Sequence, residues 1–166
     1  MIKERYKSPL IVETGCIRAD EDWRGAGYST YLYASYVNRV GGELISVDNS
    51  PSHCRFAQEM TPEFEKIQIY CEDSVTFLRS FDRSIDVLQL DSMDTEILGH
   101  ADHAAAELEA ALPHLKDNSL VIFDDTVYQA RGWRGKGAKA VPMVLDRGWQ
   151  IVYSGYQTML ERRGDK

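Results

Sequence analysis

Ser119–Tyr128 reads SLVIFDDTVY: four apolar residues, Leu120 to Phe123, run into two adjacent carboxylates, Asp124 and Asp125. A short apolar run bounded by polar residues is the pattern of a buried strand. The paired charges that follow repel each other, so either a solvated turn holds them at little cost or a cation gathers them with partners from elsewhere in the chain.

The same pattern recurs on either side of this stretch. PLIVETG (Pro9–Gly15), ELISVD (Glu43–Asp48), KIQIYCED (Lys66–Asp73) and IDVLQLD (Ile85–Asp91) are four further strands, the third with alternating apolar residues. Helical patterns separate them. STYLYASYVNRVGG places Leu32, Tyr33, Tyr36, Val37 and Val40 at helical spacing, with Ser29 or Thr30 as a cap and Gly41 at the close. PSHCRFAQEM and SVTFLRSF are short helices, and the Ala-rich GHADHAAAELEAALPHL (Gly99–Leu115) is the clearest one. GAKAVPMVLDRG predicts a last helix that Pro142 kinks. RGAG and RGWRGKG read as loops, and WQIVYSG and YQTMLERR as two strands joined by a tight turn around Ser154 and Gly155.

Five strand–helix alternations demand parallel strands with right-handed crossovers, whereas the closing turn is too short for one. The expected fold class is therefore α/β: an open, mostly parallel sheet with one antiparallel strand and helices on both faces.

The chain has 166 residues, 43% hydrophobic and 27% charged, with a formal net charge of −7. Those are globular proportions, and the acidic balance argues against a sequence-independent grip on nucleic acid. Cys16, Cys54 and Cys71 form no C-x-x-C pair, and their odd count argues against a disulfide framework. No stretch has the length of a signal peptide or a membrane span. The expectation is a cytoplasmic protein with a small-molecule partner, no nucleic acid and no membrane; homo-oligomerisation is left open.

Ligands of open α/β sheets bind beyond the carboxyl ends of the strands, and here every parallel strand delivers acid to that rim. Strand one ends in Glu13, Thr14 and Gly15, strand two in Asp48, strand three in Glu72, Asp73 and Ser74, strand four in Asp91 with Asp94 just after, and strand five in Asp124 and Asp125. One acid after a strand is a common turn or cap. Five together imply a ligand with several hydroxyls, a cation, or both. Asp48 stands where an acid accepts hydrogen bonds from ribose, or where one caps the next helix. Asp73 and Ser74 are placed to meet an adenine edge, unless Asp73 serves as an N-cap. Asp91, Asp124 and Asp125 would raise one another's pKa unless a cation intervened, and an all-oxygen set suits Mg²⁺, or Ca²⁺ and Mn²⁺.

The ordered motifs IVETGC…GAGYSTYLYASYV, LISVDNS, YCEDS, VLQLDSMD, VIFDDT and YSGYQTMLERR resemble the class I S-adenosylmethionine-dependent methyltransferases. Within them they are similar to the metal-dependent O-methyltransferases related to the macrocin and aminocoumarin sugar enzymes and to the cephalosporin-hydroxylase-like group. The resemblance runs from Leu10 to Arg162 and implies one Rossmann-like methyltransferase domain over residues 1–166, with a seven-stranded sheet and an antiparallel last strand. It implies S-adenosylmethionine and Mg²⁺ or another divalent cation as cofactors, and a small-molecule hydroxyl as acceptor. Glu13 and Gly15 would form the first cofactor motif, with Gly25, Gly27 and Ser29 as a flap over the cofactor or a surface excursion. Asp48 would hold the ribose, and Asp73 with Ser74 would sit by the adenine. Asp91, Asp124 and Asp125 match the metal ligands, the ion lowering the pKa of the acceptor hydroxyl and fixing it in line with the methyl. With nine residues before strand one, closure over the substrate is expected from loops or a second subunit.

His103 begins the long helix after Asp91 and is either a general base or a helix-start residue touching water. His53 and His114 read as surface residues, Tyr156 and Gln157 as structural, and Cys16 as inert. Arg131, Arg134, Lys136 and Lys139 around Trp133 form a basic loop that either binds substrate or is solvated. Two rival functions stand beside the methyltransferase. An NAD(P)-dependent oxidoreductase would use Gly25, Gly27 and Asp48, although the full G-x-G-x-x-G is absent. A non-catalytic nucleotide-binding module on the same fold is the other.

Overall fold

A computed structural model describes residues 2–24 and 27–162. Among the described residues there are nine strands: β1 (Leu10–Thr14), β2 (Glu43–Asp48), β3 (Ile67–Cys71), β4 (Ile85–Leu90), β5 (Leu115–Phe123), β6 (Thr126–Gln129), β7 (Gly132–Gly135), β8 (Trp149–Ser154) and β9 (Thr158–Arg162). The α-helices are α1 (Ile2–Arg5), α2 (Ser29–Val40), α3 (Pro51–Met60), α4 (Ser74–Ser80), α5 (His100–Ala111) and α6 (Ala140–Leu145). Seven strands form one sheet in the order β3-β2-β1-β4-β5-β9-β8, and β6 and β7 form a separate hairpin.

Strands β1 to β5 are all parallel, and β9 runs antiparallel to both β5 and β8. The mostly parallel sheet with its antiparallel last strand is thus as expected. Side chains alternate across it because successive residues of a strand point to opposite faces. Leu10 and Val12, Ile45 and Val47, and Val121 and Phe123 face α4, α5 and α6, which contribute Phe77, Leu78, Leu108, Val141 and Val144. Ile11, Leu44, Leu120 and Ile122 face α2, with its Ala34 and Val37, and α3 brings Ala57 against Cys16 and Ile17 on that side.

Several local expectations are corrected. Helix α2 opens after Tyr28 with no side-chain cap; Thr30 is buried and its hydroxyl serves Glu13 and the Ile17 N–H instead. Helix α5 stops at Ala111, because Pro113 follows within a short 3-10 turn (Leu112–His114), and the segment from Leu115 joins β5. RGWRGKG is not a free loop: its first residues turn into β7, and a 3-10 turn, Lys136–Ala138, follows. Pro142 lies in the first turn of α6, where its missing N–H has no intrahelical partner to lose. Among the described residues no helix is long and apolar enough to cross a membrane.

Candidate active site

Three backbone hydrogen bonds bring the ends of β1, β2, β4 and β5 to one level. The Gly15 N–H donates to Val47 O at 2.8 Å, the Asp91 N–H to Thr14 O at 3.0 Å, and the Asp124 N–H to Leu90 O at 3.1 Å. Gly15 has φ +82°, and a Cβ there would stand 2.6 Å from the Asp91 carbonyl oxygen, so this position excludes any side chain. Beyond these ends lies a crevice of about 340 Å³, the size of a small-ligand site. Gly15, Ser29, Asp48, Asp91, Asp124 and Asp125 line it. A second lobe of about 230 Å³ shares Gly15 and Asp48 and adds Ser74 and His103. Arg18 and Asp94 pair at 2.9 Å and line both lobes.

The three aspartates expected to converge do so: one oxygen from each lies within 4.8 Å of the others. The sequence reading missed their company. The Lys136 ammonium, on a side chain only 3% exposed, pairs with Asp91 Oδ1 and stands 3.4 Å from Asp125 Oδ2. It also donates to the Asp91 carbonyl at 3.2 Å. Gln157 Nε2 donates to Asp124 Oδ1 at 2.6 Å. The Asp125 carboxylate beside the Tyr156 hydroxyl pushes the phenol up to about 12. Tyr156 and Gln157, read as structural, therefore belong to the site.

Burial pushes the Asp91 carboxyl up to about 7, with Lys136 opposing and Asp124 reinforcing the shift. Burial also disfavours the Lys136 ammonium, but Asp91, Asp125 and Asp124 outweigh it and hold its pKa above the usual lysine range. The charged pair is the arrangement consistent with their contact.

Asp48 is held in a turn at the crevice wall. It accepts from Cys16 N at 3.3 Å and Ser50 N at 2.8 Å, and His53 Nδ1 lies 3.2 Å away. His53, read as a surface residue, thus lines the crevice. The Cys16 thiol is buried and burial pushes its pKa up, in keeping with an inert group.

Glu13 lies behind the crevice, fully buried, its Oε2 accepting from Thr30 Oγ1 and Ser46 Oγ at 2.8 Å each. Burial pushes its carboxyl up to about 7. Asp73 caps α4, accepting from Thr76 N and Thr76 Oγ1 at 2.8 Å, and those bonds lower its pKa. Ser74 Oγ donates to the buried Glu107 at 2.5 Å and lies 3.3 Å from His103 Nε2. His103, its pKa raised by the Glu107 hydrogen bond, sits in the lobe of Ser74 and does not line the one that holds the aspartates. Gly27 lines the crevice; Gly25 lies outside the described residues.

Three carboxylates are a donor set suited to a hard cation. The place between Asp91 and Asp125, however, holds an ammonium. Two unit charges 4 Å apart interact by about 4 kcal/mol at an effective dielectric of 20, and a divalent ion doubles that repulsion. The residues present do not accommodate a divalent ion unless Lys136 leaves.

A family model described as "Methyltransferase domain" matches residues 24–126. No curated protein sequence matches the chain. Solved structures share its fold at low identity. The Podospora anserina methyltransferase PaMTH1 bound to SAH aligns at TM-score 0.67 and 16% identity, over 95% of this chain and 72% of the other. An rRNA methylase from Streptococcus thermophilus aligns at TM-score 0.66 and 10% identity, over 98% and 92%. The magnesium protoporphyrin IX methyltransferase ChlM from Synechocystis PCC 6803 with bound SAM aligns at TM-score 0.60 and 14% identity, over 93% and 70%. The chain belongs to the methyltransferase domain family.

Proposed function

We propose that the chain is an S-adenosylmethionine-dependent O-methyltransferase acting on a hydroxyl of a small molecule, built as one domain over residues 1–166. The observation that carries this reading is the meeting of Gly15, Asp48 and three aspartates in one crevice at the carboxyl ends of the strands. The ligands held by PaMTH1 and ChlM support the choice of cofactor. Membership of the methyltransferase family favours it over the dinucleotide oxidoreductase.

Gly15 would let the cofactor approach the backbone, Asp48 would accept from its ribose, and Ser29 and Ser74 would close its two sides. Glu13 supports this from beneath through Thr30 and Ser46. Asp73 supports it by starting the helix that carries Ser74. When bound, S-adenosylmethionine supplies an electrophilic methyl group on a sulfonium centre. Asp91 would face the acceptor hydroxyl and take its proton as the oxygen gains the methyl, the sulfonium–methyl bond breaking to leave S-adenosylhomocysteine, while Asp124 and Asp125 would orient the remaining polar edge of the acceptor. His103 positions Ser74 in the neighbouring lobe. Mg²⁺ or another divalent ion on the aspartates is the form the family resemblance implies, but no step is assigned to it because Lys136 holds that place.

A small acceptor is supported by the acidity of the crevice and of the chain, which disfavours a phosphate backbone, and by Leu32 and Tyr156, exposed apolar groups on the crevice wall. Three free cysteines support a reducing cytoplasm as its location. The test is transfer of labelled methyl from S-adenosylmethionine to a panel of phenols and sugars, with ribosomal RNA in parallel. Label in a small hydroxylated molecule is expected; label only in RNA would overturn the choice of acceptor.

A further inference from the structure

The segment Gly135-Lys136-Gly137 is built against the turn that carries Asp124 and Asp125. Gly135 has φ +80°, and a Cβ there would fall 1.6 Å from the Asp125 carbonyl oxygen. A Cβ on Gly137 would stand 2.7 Å from Thr126 Cγ2 and 2.8 Å from Val141 Cγ2. Only a residue without a side chain fits on either side of the lysine.

The same turn anchors this segment by hydrogen bonds. The Gly137 N–H donates to Thr126 Oγ1 at 2.8 Å, and that hydroxyl donates to the Asp124 carbonyl at 2.7 Å. Thr158 Oγ1 donates to the Thr126 carbonyl at 2.9 Å, fixing the turn to β9. Hairpin, turn and sheet therefore hold Lys136 at a set distance from the aspartates, and its stem is buried while its ammonium faces Asp91 and Asp125.

We propose that Lys136 is a built-in cation that takes the place of a divalent metal between Asp91 and Asp125, so that the acceptor is bound and oriented without metal. Resting on the crevice proposed above as the reaction site, the assignment gives Lys136 the role of a positioning residue. Through Asp91 and Asp125 it fixes the carboxylates that face the acceptor, and it offsets their mutual repulsion as a bound ion would. Asp124 has its own donor in Gln157, so with Lys136 at Asp91 and Asp125 each aspartate meets a protein group of complementary polarity.

The experiment is titration of the wild-type protein with MnCl₂ alone, followed by electron paramagnetic resonance of the free ion, beside the variants Lys136→Met and Asp125→Asn. The wild type is expected to leave Mn²⁺ free, and Lys136→Met, with an uncharged side chain of similar length, to gain one Mn²⁺ site. A purely structural lysine would not produce that gain. A wild type that binds one Mn²⁺ stoichiometrically and loses it in Asp125→Asn would overturn the proposal, and this arm holds even if Lys136→Met fails to fold. The titration needs neither cofactor nor acceptor, so its result is separate from the fate of the methyltransferase reading.

Discussion

Two carboxylates, the half-buried Asp91 at the crevice and the fully buried Glu13 behind it, are both pushed up to about 7 by desolvation, yet their surroundings differ. Glu13 is met by neutral hydroxyls, Thr30 and Ser46, in a pocket closed to the crevice. Asp91 is met by an ammonium and stands beside two more carboxylates at the mouth. Neutral donors, which bring no charge to hold a carboxylate ionised, suit a group that holds β1, β2 and α2 together best when protonated. A fixed cation suits a group that must stay ionised at the rim. The difference separates an acid enclosed within the fold from one presented to the crevice, although both stand at or near the end of a strand.

The largest effect is expected on the charged side of this contrast. Lys136→Met leaves the half-buried Asp91 without its cation and should cost about 3 kcal/mol of stability at pH 8, the lower end for breaking a buried pair. The loss should shrink toward pH 5, where Asp91, whose folded pKa already lies at about 7, takes up a proton; urea unfolding at the two pH values measures this. An equal loss at both would mean that the pair is not ionic. Gly135→Ala forces the hairpin off the Asp125 carbonyl at a positive φ and should cost about 3 kcal/mol, the upper range for a strained backbone position. Activity should fall with it, since Lys136 moves too.

Glu13 provides the neutral counterpart. Its folded pKa of about 7 lies above the reference of 4.5, so the stability it contributes is fully present below about 4.5 and is lost as pH rises through about 7. The interval is worth roughly 3 kcal/mol. Glu13→Gln should flatten the stability profile across that window, as followed by denaturant midpoints at pH 4.5, 6 and 8. An unchanged slope would assign the titration to another group. Thr30→Val removes one donor from Glu13 and the acceptor of the Ile17 N–H, and should cost about 2 kcal/mol by thermal unfolding.

The sheet was legible because apolar residues in β1, β2, β4 and β5 come as short runs bounded by turns, a pattern set by local periodicity. The aspartates were legible for the same reason: each follows its own strand. Lys136 was not, because it lies 45 residues from Asp91 and reaches it only through a hairpin whose turn uses positive φ at Ala130 and Arg131, with Asp125 itself at φ 42°. Those conformations are uncommon for residues other than glycine and carry little sequence signal. Gln157 and Tyr156 were missed because β9 inserts between β5 and β8, a pairing that fixes which turn faces the aspartates. Glu13 and Asp73 sit at strand ends as expected, yet one is turned beneath the crevice by Thr30 and Ser46 and the other is drawn to the N-terminus of α4 by Thr76.

The central claim is that the crevice at the ends of β1, β2, β4 and β5 is an S-adenosylmethionine site. Isothermal titration of the wild-type protein with S-adenosylhomocysteine, with NAD as the competing ligand, tests it most directly. Stoichiometric binding of S-adenosylhomocysteine, weakened at least tenfold in Asp48→Ala and with no heat from NAD, is the predicted result; binding of NAD with none of S-adenosylhomocysteine would contradict it.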